Sequence, residues 1–88
     1  MNLWRNNIGD DGAKAIAEAL KVNPVLTSLD LRKNSICVDG AKAIAEALKV
    51  NPVLTELNLK YNSTKMGDAG GKAVQDAVKD RSGFVLML

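Results

Sequence analysis

The chain has 88 residues, of which 47% are hydrophobic and 25% charged, a balance that suits one small globular domain and excludes a disordered chain. A net charge of +2 is too small to imply nucleic acid or an acidic membrane surface as partner. Aromatic residues make up only 3%, so the core must be built from Leu, Ile, Val and Ala, which suits thin repeated layers better than a compact globule.

The sequence begins in a short strand at "NLW", and Asn6 follows. Leu3, Leu31 and Leu59 recur every 28 residues, as do Asn6, Asn34 and Asn62, so the chain is an array of similar units. Residues 11–27, "DGAKAIAEALKVNPVLT", read as a helix. Asp11 is its predicted N-cap, Ala13, Ile16, Ala17 and Leu20 form the inward face, and Lys14 stands four residues before Glu18 on the outer one. Ala15 and Ala19 leave flanks small enough for a neighbouring helix. The helix is predicted to stop at Asn23, in a left-handed conformation before Pro24.

Next comes a strand in which Leu29 and Leu31 alternate with Ser28, Asp30 and Arg32, the period of a ribbon with one buried face. Asn34 ends it, and stacked Asn6, Asn34 and Asn62 are expected to satisfy backbone groups freed at the turns. Residues 39–55 then repeat 11–27 letter for letter, predicting a second helix capped by Asp39 and a second strand through Leu57 and Leu59. The third loop carries two extra residues, so that Met66 takes the place of Ile8, Gly70 that of Gly12, and Thr64 an isoleucine position. A third helix through "KAVQDAVKD" leads to a terminal strand, Phe84, Val85, Leu86, Met87 and Leu88, with Leu86 and Leu88 inward.

The stretches "LTSLDLRKNSI" and "LTELNLKYNST" have the form L-x-x-L-x-L-x-x-N-x-I, the last position of the second being Thr64. This resembles the leucine-rich repeat, specifically the ribonuclease-inhibitor-like subtype with a full helix in every unit, and the resemblance covers nearly the whole chain. It implies an α/β solenoid, a segment of a right-handed horseshoe with a parallel sheet on the concave face and helices on the convex one. The expected layout is a single domain of about three repeats, at 1–25, 26–53 and 54–83, plus the terminal strand 84–88. Similar units occur in ribonuclease inhibitor, in NOD-like receptors and in Ran GTPase-activating protein, so the resemblance includes inhibition, ligand sensing and GTPase activation without choosing among them.

The residue types argue against catalysis. The chain has no histidine and one cysteine, and the carboxylates fall at predicted caps and outer helix positions. Cys37, standing where the first copy has Gly9, is read as a structural thiol that agrees with a reducing, cytoplasmic setting. "GDAGGK" misses the phosphate-loop spacing and its hydroxyl, and the glycosylation signature at Asn62 falls on a ladder position, so neither a cofactor nor a glycan is expected. The longest apolar run, "FVLML", is far shorter than the roughly 20 residues of a membrane helix, and the start does not read as a signal peptide.

The copies differ mainly on the outward side of the strands. One row reads Asn2, Asp30, Asn58; the next Trp4, Arg32, Lys60; the third Arg5, Lys33, Tyr61; Ser28 and Glu56 extend the pattern. A fixed scaffold with a changing row predicts a surface that binds a protein, through Trp4, Arg5, Asp30, Arg32, Lys33, Glu56, Asn58, Lys60 and Tyr61. The alternative is a fragment or consensus-like repeat that assembles with itself and has no dedicated partner. The unpaired edge of the terminal strand predicts self-association through Phe84, Val85, Leu86, Met87 and Leu88, or else a chain that is part of a longer array.

Overall fold

The computed structural model describes the backbone of residues 1–88 and all side chains outside 63–65. Three helices, α1 (Gly9–Val22), α2 (Val38–Val50) and α3 (Ser63–Val78), alternate with three strands, β1 (Ser28–Asp30), β2 (Glu56–Asn58) and β3 (Val85–Met87). The strands form one parallel sheet in the order β1-β2-β3, and α2 packs between α1 and α3. This is an α/β fold of two layers around one core. Each strand is three residues long and turns one leucine inward: Leu29, Leu57 and Leu86 lie in register across the sheet. Leu31 and Leu59 follow just past the strand ends and are also fully buried.

The first segment, predicted as a strand, forms only a bridge from Asn2 to Asp30, extended by a hydrogen bond from Leu3 N–H to Asp30 O at 2.8 Å. Met66 is buried at the position foreseen from Ile8. A Cβ on Gly70 would come within 2.5 Å of Met66 Cγ, just as one on Gly12 would come within 2.2 Å of Ile8 Cγ2. Gly67, at φ 67° and ψ −177°, breaks α3 into a first turn and a longer run. The expectation for Thr64 lies outside the described side chains.

The verbatim copy separates sequence from surroundings. In α2, which has a helix on each side, Ile44 and Ala47 are fully buried, whereas in α1 their counterparts Ile16 and Ala19 are half-buried and exposed. The same letters thus give different burial, and the neighbouring unit makes the difference.

The helix ends depart from expectation. Asp11 and Asp39 do not cap their helices; they lie in the first turns, where negative charge opposes the helix dipole favourably. The cap of α2 comes from the neighbouring unit, since Asp10 Oδ1 accepts the N–H groups of Cys37 and Gly40 at 2.7 and 3.1 Å. Gly40 admits it, for a Cβ there would lie 2.5 Å from that oxygen. Asn23 and Asn51 are extended rather than left-handed, with φ of −91° and −102°. Glu18 pairs with Lys21 at 2.9 Å, not with Lys14.

The asparagines explain how the units are joined. Asn34 Oδ1 accepts from Asn6 N–H at 2.7 Å and Ile8 N–H at 3.4 Å, while its Nδ2 donates to Leu3 O and Arg32 O. Asn62 does the same one unit later, accepting from Asn34 and Ile36 and donating to Leu31 and Leu59. Both are buried, which agrees with rejecting Asn62 as a glycosylation site. Asn6 is the exception: it is exposed, and among the described residues its side chain reaches only Trp4 O, at 3.5 Å. Asn34→Ala should therefore cost about 1–3 kcal/mol by leaving buried groups unsatisfied, whereas Asn6→Ala should cost less than about 0.5 kcal/mol. Urea titration of the two variants checks this; equal losses would contradict the ladder.

Candidate protein-binding face

The face of the sheet turned away from the helices carries the predicted rows, and the structure divides them into two kinds. Ser28, Glu56 and Val85 lie in register on the strands, as do Asp30, Asn58 and Met87, with Asn2 bridged to Asp30. The Trp4, Arg32, Lys60 and Arg5, Lys33, Tyr61 rows do not belong to the strands at all. They lie in the turns that follow, because the extended segments are shorter than the sequence pattern suggested.

The strand row is not free to vary. Asn2, Asp30 and Asn58 each use a side-chain oxygen to accept the backbone N–H two residues on, at 3.0, 3.1 and 3.1 Å. This is an Asx turn, which only a short side chain with an acceptor oxygen can close. The signal for it was present in the sequence as an Asn-Asp-Asn row. Asp30 is further committed to Arg32, whose Nε and Nη2 donate to its two oxygens at 3.0 and 2.7 Å. That hydrogen bonding holds the Asp30 carboxyl below its ordinary range and raises Arg32. Ser28 Oγ donates to Glu56 Oε1 at 2.9 Å, tying adjacent units on the same face.

The turn rows are different. Trp4 is 42% exposed and Tyr61 65% exposed. The Arg32 and Arg5 guanidinium groups lie 4.9 and 5.9 Å from the Trp4 ring centroid, and Lys33 Nζ lies 5.3 Å from that of Tyr61. Among the described residues Arg5, Lys33 and Lys60 form no ion pair. Arg5, Lys33 and Tyr61 also adopt left-handed backbone conformations, with φ of 64°, 55° and 65°. A side chain in that region costs about 1–2 kcal/mol, so glycine would be the easier residue at all three positions. The turn itself needs the conformation: Arg5 N–H reaches Arg32 O at 2.9 Å and Lys33 N–H reaches Lys60 O at 3.2 Å. Among the described residues the side chains of Arg5, Lys33 and Tyr61 make no hydrogen bond.

Of the terminal residues, Val85 is exposed, while Phe84, Leu86 and Leu88 pack against the core, and the Arg81 guanidinium lies 4.9 Å from the Phe84 ring centroid. β3 pairs with β2 on one side only. Sequence reading missed a second side-chain ladder beneath this region. Asn51 Nδ2 donates to Leu20 O at 2.7 Å, and one unit later Arg81 Nη1 takes the equivalent place on Leu48 O at 2.9 Å, with Nη2 donating to Leu54 O. The repeated Asn-Pro pairs carried the first half of that signal. The change to Arg81 concealed the second.

Among the described residues no group of three or more His, Cys, Asp or Glu side chains could hold a metal ion, and no helix is long and apolar enough to cross a membrane. The pattern of the leucine-rich repeat family matches residues 2–17, 22–45 and 50–74, well over half of the chain. The chain therefore belongs to the leucine-rich repeat family, whose members are typically protein-interaction modules. No curated protein matches it significantly.

Proposed function

We propose that this chain is a non-enzymatic protein-binding module, a three-unit solenoid of the ribonuclease-inhibitor-like subtype that acts in the cytoplasm and takes its partner on the concave face. The observation that carries this reading is the contrast within the face: the Asx row is consumed by turns, while Trp4, Arg5, Lys33, Lys60 and Tyr61 have no comparable structural task. Exposed aromatic and Arg side chains are the types that dominate protein interfaces. Asp30, Asn58 and Glu56 border the contact and hold its shape.

The test is capture of partners from cell extract by the intact chain and by Trp4→Ala combined with Tyr61→Gly, which removes the two exposed rings of the face and leaves the Asx row intact. Circular dichroism first verifies that the variant is folded. Its capture should fall at least about tenfold, a change of about 1.4 kcal/mol, while Lys14→Glu with Lys42→Glu on the helices should capture as the intact chain does. Equal capture by the face variant would contradict the reading.

A second reading, pairing of two copies of the 88-residue chain, is favoured by the outer edge of β3 and by an apolar groove of about 250 Å³ beside Ile16, Ala19 and Leu26. Within the chain, the identical surface around Ile44 and Ala47 is covered by α1, so a second copy offers the kind of helix and strand edge that fits. Light scattering should register a dimer or larger assembly that weakens in Met87→Lys. A monomer that stays folded at every concentration would contradict it.

A further inference from the structure

We infer that the partner segment seated on the turn residues is acidic: a short stretch of protein whose Asp and Glu side chains meet Arg5, Lys33 and Lys60, flanked by the rings of Trp4 and Tyr61. This rests on the protein-binding reading of the same face and adds the chemistry of what is bound.

Charge is segregated along each strand and its turn. Glu56 and Asp30 lie on the strands, and the basic side chains lie beyond them. Asp30 is closed off by its two-point contact with Arg32, so it no longer opposes an incoming carboxylate. Arg5, Lys33 and Lys60 are left exposed, without an acidic partner among the described residues, and on consecutive units. Neighbouring strands in a sheet are spaced by about 4.8 Å, close enough for one short segment to reach all three.

The aromatic rings give the cations fixed positions. The Lys33 ammonium stands 5.3 Å from the Tyr61 ring centroid and the Arg5 guanidinium 5.9 Å from that of Trp4, so less side-chain freedom is lost when a carboxylate arrives. The left-handed backbone at Arg5, Lys33 and Tyr61 points the same way, since strained positions that retain large side chains mark functional sites. Nucleic acid fits less well. Its affinity comes from many phosphate contacts, whereas this face offers only the three cations Arg5, Lys33 and Lys60 without an acidic partner among the described residues, on a chain of net charge +2.

Trp4 is the sole tryptophan and lies within the proposed contact, so its fluorescence reports binding directly. A short glutamate-rich peptide should change that emission saturably, with affinity falling about tenfold between about 0.05 and 0.5 M salt. Lys33→Gly combined with Tyr61→Gly removes both side chains at positions whose backbone favours glycine, and should weaken the peptide by at least about tenfold with the circular dichroism spectrum unchanged. A lysine-rich peptide should give no response. An equal response to the lysine-rich peptide, tighter binding of a single-stranded oligonucleotide of the same charge, or no response to the glutamate-rich peptide would each overturn the inference. If the glutamate-rich peptide fails while capture is still lost in Trp4→Ala with Tyr61→Gly, the acidic partner is wrong and the binding face stands.

Discussion

Two buried carboxamides, those of Asn34 and Asn62, hold the arrangement on which everything else in this chain depends. Where each strand turns away from the sheet, backbone N–H and C=O groups lose their ladder partners inside the protein, and leaving them unpaired is expensive. A carboxamide is suited to the position because it both donates and accepts. Asn62 takes Asn34 N–H and Ile36 N–H on its oxygen and supplies Leu31 O and Leu59 O with its nitrogen, so a single side chain closes its own turn and secures the preceding one. The residues of the proposed binding face sit immediately before these asparagines. Their placement follows from the ladder, and their identity is left free by it.

The verbatim copies show how strongly stability here is a property of neighbours. Residues 11–27 and 39–55 are identical, yet Ala47 is fully buried while Ala19 is exposed. An isolated unit cannot bury its own hydrophobic face, and stacking supplies what it lacks. Other links between units follow the same logic with different chemistry: Asp10 on the start of α2, Asn51 on the carbonyl of Leu20, and Arg81 on that of Leu48. Short polar side chains reach across the gap where the backbones lie close. Arg81 meets the equivalent carbonyl with a longer arm, in a unit whose loop has two extra residues.

Much of this was legible in the sequence, because a period of 28 residues with leucines at fixed offsets leaves few architectures open. The inward leucines, the alternation of helix and strand, the equivalence of Met66 with Ile8 and the burial of Asn34 and Asn62 could all be read from spacing alone. The errors came where one residue type can do two jobs. Asp11 and Asp39 look like caps, but Asp10 performs that task for the neighbouring helix, a contact that spacing within one unit cannot reveal. Asn23 before Pro24 looks like a left-handed stop, whereas its extended backbone lets the side chain hold Val25 N–H and Leu26 N–H at 2.9 Å. On the candidate face, Asn2, Asp30 and Asn58 looked variable because their letters differ; their common chemistry as turn acceptors makes them the constrained row. The left-handed backbone at Lys33 and Tyr61 had no sequence signal, since neither residue type favours it.

The most direct measurement of the ladder is hydrogen exchange at the amides of Asn34 and Ile36, which donate to Asn62 Oδ1 at 2.9 and 3.1 Å, compared between the native chain and Asn62→Ala. If the buried carboxamides join the units, both amides exchange slowly in the native chain and are accelerated selectively in the variant, ahead of the helix amides of α2. Equal exchange of these two amides in both proteins would contradict the claim that Asn62 holds its neighbour in place.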